Sequence, residues 1–118
     1  METKDKLAAV DRYIEAFEKA DIAIIKDIYA SNAIVEDPVG SDIHDGIEAV
    51  CKFYEGALAS GAKLIPTGTP RCAGNAVAFP FQVTMPGMTI DVIDVFEFDD
   101  NGKVISMKAY WGPENLIA

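Results

Sequence analysis

The chain has 118 residues, half of them hydrophobic, which is enough for one domain with a substantial core. Its net charge of −9, from 19 acidic and 10 basic residues, argues against nucleic-acid binding, because binding phosphates requires a basic surface. No apolar run approaches the roughly 20 residues of a membrane span, and the N-terminus has no apolar signal-peptide core. Cys51 and Cys72 make no disulfide framework, and Cys51 is expected to be a buried free thiol. We therefore expect one cytoplasmic domain over residues 1–118 that binds neither nucleic acid nor membrane.

The first half of the sequence has the periodicity of helices. Apolar residues recur at helical spacing over residues 4–19 and again over 21–30, where Asp21 is placed to cap the helix start. A short extended piece at 33–37 is stopped by the following proline and glycine. A third helix opens with the capping-box pattern Asp45-Gly-Ile-Glu48 and ends near residue 60. Each apolar helix stripe carries one tyrosine, and these are Tyr13, Tyr29 and Tyr54.

The second half of the sequence alternates as β-strands do. Strands are predicted at about 63–67, 76–85, 89–98 and 103–111, and Pro86-Gly87 and Asp99-Asp-Asn-Gly102 supply the turns between the last three. Helices followed by a meander of strands indicate an α+β fold. A curved, mostly antiparallel sheet with three helices on its concave side would form a cone. The apolar interior of such a cone, open at one mouth, is a natural small-molecule pocket.

The strand at 89–98 carries a carboxyl group on its apolar face. Asp91 and Asp94 are three residues apart, so they point to opposite sides of the strand, and Asp94 shares its side with apolar residues only. No lysine or arginine on that side is available to pair with it. Burial should therefore raise the pKa of Asp94 and leave it protonated at neutral pH, as a hydrogen-bond donor. A buried donor beside a tyrosine hydroxyl is what an enolate oxygen requires.

Asp37 shares its strand parity with Ala33 and Val35, so its carboxyl is also expected to point inward. Taken alone, each tyrosine is more often an ordinary core residue, and Glu36-Asp37-Pro38 is more often a solvated turn. His44 is the only histidine, so no zinc cluster is expected, and there is no glycine-rich phosphate loop. Together, a carboxylate, phenols and a neutral acid in an apolar cavity predict proton abstraction next to a carbonyl, without metal or organic cofactor.

Nearly the whole chain resembles the bacterial ketosteroid isomerases, which are steroid Δ-isomerases of the nuclear-transport-factor-2-like (NTF2-like) superfamily. The resemblance lies in a series of stretches in matching order, which are Arg12-Tyr-Ile-Glu15, Ile28-Tyr-Ala30, Val35-Glu-Asp-Pro-Val-Gly40, Phe53-Tyr54, Asp91-Val-Ile-Asp-Val95 and Met107-Lys-Ala-Tyr-Trp111 with Asn115 behind it. One departure is the hairpin at 85–89, which is several residues shorter than the turn usual in the family.

The resemblance implies a role for each matching residue. Asp37 would be the general base, and Tyr13 and protonated Asp94 would donate hydrogen bonds to the substrate's carbonyl oxygen. Ketosteroid isomerases are a known case of a carboxyl kept neutral by an apolar site, so the role of Asp94 follows that pattern. Tyr29 and Tyr54 would support Tyr13 through hydrogen bonds. The resemblance also implies a homodimer and a substrate cavity lined by Phe53, Phe79, Phe81, Met85, Met107 and Trp111.

The leading hypothesis is an isomerase that converts 3-oxo-Δ5-steroids into conjugated 3-oxo-Δ4-steroids through a dienolate. One alternative is an NTF2-like enzyme that acts on another enone or on a polyketide. The other is a non-catalytic module for a hydrophobic ligand, since one fold hosts unrelated functions. The joint presence of Asp37, Tyr13 and Asp94 favours an enzyme, because a binding module has no need of a base opposite two donors.

Overall fold

A computed structural model describes residues 1–117 of the chain. Its three α-helices are α1 (Thr3–Lys19), α2 (Ile22–Ile28) and α3 (Ile47–Ala59). The predicted cap of α2 is confirmed, because the Asp21 side chain accepts a hydrogen bond of 3.0 Å from the Ala23 N–H. The predicted capping box of α3 is wrong. Gly46 precedes that helix with a φ of 90°, a conformation that favours glycine, and Asp45 belongs to a strand.

Seven strands form one curved open sheet. They are β1 (Tyr29–Glu36), β2 (His44–Asp45), β3 (Lys63–Pro66), β4 (Arg71–Ala73), β5 (Ala76–Met85), β6 (Met88–Phe98) and β7 (Val104–Tyr110). The strand order is β2-β1-β7-β6-β5-β3, with β4 also paired to β5. Every pair is antiparallel except β1 with β7, which is parallel. The helices pack on one face of this mixed, mostly antiparallel sheet, which confirms the predicted α+β class.

The structure differs from the sequence prediction at the end of the second helix. Tyr29 and Ala30, which were expected on that helix, begin β1 instead, because the Tyr29 backbone becomes extended and pairs with Val104 of β7. Pairing with a distant strand leaves no trace in the local periodicity, which is why the boundary was wrong. Strands β2 and β4 were not predicted because, at two and three residues, they are too short to show alternation.

The hydrophobic core lies between the helices and the facing side of the sheet. Burial alternates along β6, where Asp94 and Phe96 are buried while Asp91 and Ile93 are exposed. The register of β6 with β5 is continuous from Met88 to Glu97, so the parity predicted for Asp94 is confirmed. The Phe96 ring is fully buried and meets the ring of Tyr13 edge-on, with the centroids 5.1 Å apart. Asp94 therefore lies on the same face of the sheet as Phe96 and opposite Phe79 of β5.

The two cysteines are free thiols, and both are half-buried. Cys51 is thus less enclosed than predicted, because α3 turns Val50, Tyr54 and Leu58 toward the core instead.

Within residues 1–117, no helix has both the length and the apolar character needed to cross a membrane.

The alternation along β6 predicts opposite effects on stability for neighbouring positions. Phe96→Ala should lower the free energy of unfolding by about 3–5 kcal/mol, because it leaves a cavity among packed aromatic rings. The matched control is Ile93→Ala on the outer side of the same strand, where about 0.5 kcal/mol or less is expected. Urea denaturation of both variants measures the difference. Similar losses at the two positions would contradict the assigned faces.

Candidate active site

A cavity of about 220 Å³ opens between α1, α3 and the inner face of the sheet. Its polar groups are gathered among a few side chains, which are Tyr13, Asp37, Tyr54, Asp94 and Trp111. The remaining lining is apolar, with the exception of Ser60, whose hydroxyl donates to the Ala57 carbonyl. The cavity is therefore suited to a hydrophobic ligand that carries one polar group at a defined end.

Most of the site residues predicted from the sequence meet at this cavity. The structure brings together Asp37, Tyr13 and Asp94, the supporting Tyr54, and four of the predicted lining residues, which are Phe53, Phe81, Met85 and Trp111. Tyr29 lies behind the cavity wall and reaches it through Tyr54. Phe79 and Met107 do not line the cavity. Both are buried in the core, where the Phe79 ring stacks on Phe81 with the centroids 5.5 Å apart.

Sequence reasoning missed half of the lining, although the periodicity contained the signal. Phe17 lies one helical turn from Tyr13, and Ala57 lies one turn from Phe53, so both share the face of a predicted site residue. On the strands, residues two positions from a predicted one also share its face. The lining residues missed in the sequence analysis are Phe17, Ala57, Ser60, Ala62, Leu64, Val83, Ile90 and Val92.

Asp37 is brought to the cavity by the parallel pairing of β1 with β7. Glu36, the last residue of β1, lies opposite Lys108, so the chain beyond each strand emerges at the same edge of the sheet. There the Trp111 indole N–H donates a hydrogen bond of 2.8 Å to Oδ1 of Asp37. Burial raises the pKa of Asp37 above its ordinary value, while the bond from Trp111 and the charge of nearby His44 offset part of the rise. A carboxylate of raised pKa is a stronger base.

Three tyrosine hydroxyls form a buried chain. The Tyr54 hydroxyl lies 3.0 Å from that of Tyr13 and 2.5 Å from that of Tyr29. Burial raises the pKa of each phenol well above its ordinary value of 10.0, so all three keep their protons at neutral pH. When Tyr29 donates to Tyr54 and Tyr54 donates to Tyr13, the Tyr13 proton is left free to point into the cavity. Each bond in such a chain polarises the next.

The carboxyl of Asp94 is 1% exposed and lies in the middle of β6. Its Oδ1 is buried without a hydrogen-bond partner within the described chain. Burial raises the pKa of Asp94 well above its ordinary value, the charge of Asp37 raises it further, and the Tyr13 hydroxyl opposes the rise. Because an ionised carboxylate without a cation is very unfavourable in such surroundings, the neutral acid is the stable form.

The two carboxyl groups of the cavity therefore hold different protonation states at one pH. The negative charge of Asp37 raises the pKa of Asp94, which favours one ionised and one neutral carboxyl. Asp37 is only half-buried and receives the Trp111 bond, whereas Asp94 is fully buried and its pKa is raised well above the ordinary value, so Asp37 is the ionised member and Asp94 the neutral one. Among residues 1–117, no three His, Cys, Asp or Glu side chains are grouped so as to hold a metal ion.

The buried neutral Asp94 predicts that its own contribution to stability falls as pH rises. An aspartate in the unfolded chain ionises near pH ~3.9, whereas folded Asp94 keeps its proton to much higher pH. At this group the folded state then binds more protons than the unfolded state. Its contribution to the free energy of unfolding therefore decreases as the pH rises above the pKa of the unfolded group. Asp94→Asn removes this loss. The stability of the variant relative to wild type should rise by at least about 1 kcal/mol between pH 4 and pH 7.

Denaturation at a series of pH values measures this difference. The matched control is Asp91→Asn on the exposed side of β6, whose stability relative to wild type should change little over the same range. A stability difference for Asp94→Asn that is constant with pH would mean that Asp94 is ionised in the folded protein.

Known proteins share both the sequence and the fold of this chain. Residues 10–107 match the family model of the SnoaL-like domain. The chain is 37% identical over 114 residues to a Steroid Delta-isomerase of Nocardioides simplex, covering 93% of this chain and 92% of that protein. A similar solved structure is that of SalBIII, an epoxide hydrolase/cyclase-like enzyme in pyran ring formation in the polyether salinomycin. The match has a TM-score of 0.89 and a sequence identity of 25%, and it covers 96% of this chain and 95% of that one. By the extent of these matches, the chain belongs to the SnoaL-like family of enzymes with the NTF2-like fold, as its resemblance to the ketosteroid isomerases predicted.

Proposed function

We propose that this protein is a steroid Δ-isomerase that moves the double bond of a 3-oxo-Δ5-steroid into conjugation with its ketone. The observation that carries the proposal is the placement of a base, Asp37, and two donors, Tyr13 and Asp94, around one apolar cavity. A module that only binds a hydrophobic ligand would need the cavity but not these groups. The identity of 37% to a Steroid Delta-isomerase over most of both chains supports the substrate class.

The proposed reaction is an internal proton transfer. The Asp37 carboxylate removes a proton from the carbon between the ketone and the double bond. The electron pair of that C–H bond forms a dienolate, and its negative charge develops on the ketone oxygen, which receives hydrogen bonds from Tyr13 and from the neutral Asp94. Asp37 then returns the proton two carbons further along, and the double bond becomes conjugated. Atoms and electrons balance within the substrate.

The hydrogen-bond pattern of the site supports this division of roles. Trp111 holds only Oδ1 of Asp37, so Oδ2 is left to take and return the proton. When Tyr54 donates to Tyr13, the tyrosine chain makes the Tyr13 proton a better donor to a developing oxyanion. Asp94 has a carboxyl oxygen that no described side chain satisfies, which is consistent with a partner supplied by the substrate. Base and donors held around one cavity also supply a proximity effect.

A second candidate is an enzyme of the same fold that acts on another enone or on a polyketide. The observation that favours it is the structural similarity to SalBIII, an epoxide hydrolase/cyclase-like enzyme, with a TM-score of 0.89. The two candidates share the acid and the base, and they differ in what the apolar wall of Leu64, Val83 and Ile90 accommodates. Turnover of a 3-oxo-Δ5-steroid compared with turnover of a small β,γ-unsaturated ketone separates the two candidates. Only the steroid is large enough to contact the whole apolar wall, so a steroid isomerase should prefer it.

The general base is tested by Asp37→Asn. This change keeps the shape of the side chain but removes its basicity, so kcat with a 3-oxo-Δ5-steroid should fall at least about 100-fold. The appearance of the conjugated ketone is followed by its ultraviolet absorbance. The matched control is Glu36→Gln on the preceding residue, where activity should stay within about twofold. An inactive wild type would refute the steroid substrate, and an active Asp37→Asn would refute the base.

The two donors are tested by Tyr13→Phe and Asp94→Leu. Each change removes one hydrogen bond that forms fully only in the transition state, so kcat should fall by about 100- to 1000-fold while KM changes less. Tyr110→Phe, on the outer side of the sheet, is the control and should behave as wild type. Full activity in Asp94→Leu would mean that the carboxyl serves packing alone.

A further inference from the structure

The chain beyond β7 makes an excursion that begins at Trp111. Tyr110 is the last residue of β7 paired with β6, lying opposite Ile93. The chain then returns to the same strand, where Leu116 bridges to Ile90. Between these two pairings β6 has two residues, 91 and 92, whereas the segment after β7 has five, 111–115. Such a mismatch is a way to redirect side chains near an active site.

Both ends of the excursion are anchored to the sheet. At its far end the Ile117 N–H donates a hydrogen bond of 2.8 Å to the Thr89 carbonyl, next to the bridge between Leu116 and Ile90. At its near end the chain is continuous with β7. The direction of the Trp111 side chain is therefore decided by how the five intervening residues are folded.

Asn115 holds the five-residue excursion together through two hydrogen bonds to Gly112. Its side-chain Oδ1 accepts a hydrogen bond of 2.8 Å from the Gly112 N–H, and its own N–H donates to the Gly112 carbonyl at 2.9 Å. The backbone of residue 112, directly after Trp111, is thus held on both sides by one residue. The path from Asn115 to the carboxyl consists of Gly112, Trp111 and the indole bond to Asp37.

We propose that Asn115 is a positioning residue, which locks the excursion so that the Trp111 indole N–H stays on Oδ1 of Asp37. Asn115 does not line the cavity, so it would act only through Trp111. The consequence for turnover rests on the proposed function, but the link between Asn115 and Trp111 does not. Without the lock, the carboxylate would lose both its orientation and the donor that opposes the rise of its pKa.

The link is measurable because Trp111 is the only tryptophan in the sequence. Its fluorescence should change with pH as Asp37, which shares its hydrogen bond, takes up a proton. Asp37→Asn should abolish this change and so assigns it. In Asn115→Ala the emission should shift to longer wavelength, because the indole is less well held, and the pH-dependent change should shrink.

Kinetic measurements use the same variants at a pH where the Asp37 carboxyl is ionised. In Asn115→Ala, kcat should fall about tenfold with little change in KM, and the acid limb of the profile should move to higher pH. Asn115→Asp keeps an oxygen acceptor for the Gly112 N–H, so its kcat at that pH should lie within about twofold of wild type. Should Asn115→Ala not fold, Asn115→Gln displaces the acceptor by one methylene and takes its place.

The outcomes distinguish this proposal from the proposed function. Wild-type emission and an unchanged pH response in folded Asn115→Ala would overturn the positioning role, whatever the catalytic activity. Altered emission with full turnover would overturn its importance for catalysis. Altered emission in a wild type that isomerises no steroid would refute the steroid substrate and leave the link from Asn115 to Asp37 in place.

Discussion

A carboxyl group buried without a cation constrains the rest of this site. Asp94 stands in the middle of a core strand, and its nearest charged neighbour across the cavity is another acid, Asp37. Such a group is tolerated only as the neutral acid, and the neutral acid needs an acceptor for its proton. The apolar walls therefore contribute as much as the carboxyl itself, because they keep it protonated. Within the described residues, Oδ1 of Asp94 has no hydrogen-bond partner, so a ligand oxygen in the cavity would satisfy it.

The same burial sets the roles of the other polar groups. Three phenols in a row keep their protons because they too are removed from water, and their chain ends at the cavity on Tyr13. Asp37 is only half-buried, lies just beyond the end of a strand and receives a hydrogen bond from Trp111. Water exclusion thus raises the pKa of each titratable group in the site, and Asp37 remains ionised because it is less deeply buried than Asp94 and accepts a bond from Trp111.

Much of the fold and of the site could be predicted from the sequence, for physical reasons. The inward direction of Asp94 follows from strict alternation on β6, and Tyr13 and Tyr54 follow from helical spacing, since both periods are local. Tyr29 was placed on the wrong element because its partner, Val104, lies 75 positions away, the difference between 104 and 29. Phe79 and Met107 are buried but do not line the cavity. Whether an inward-facing side chain reaches the cavity or is covered by its neighbours depends on how the side chains pack against one another. No local pattern reports that packing.

The parallel pairing of β1 with β7 has a consequence for how the site is assembled. It joins Asp37 to Trp111 across 74 positions of sequence, so the carboxylate and its hydrogen-bond donor come from opposite halves of the chain. During synthesis the helices, the tyrosines and β1 are complete long before the donor exists. Before β7 is made, β1 pairs only with β2 and is not joined to the rest of the sheet, so Asp37 is not yet held at the cavity. The hydrogen bond between Trp111 and Asp37 is therefore completed only when the last strand joins the sheet, through a contact of long sequence separation.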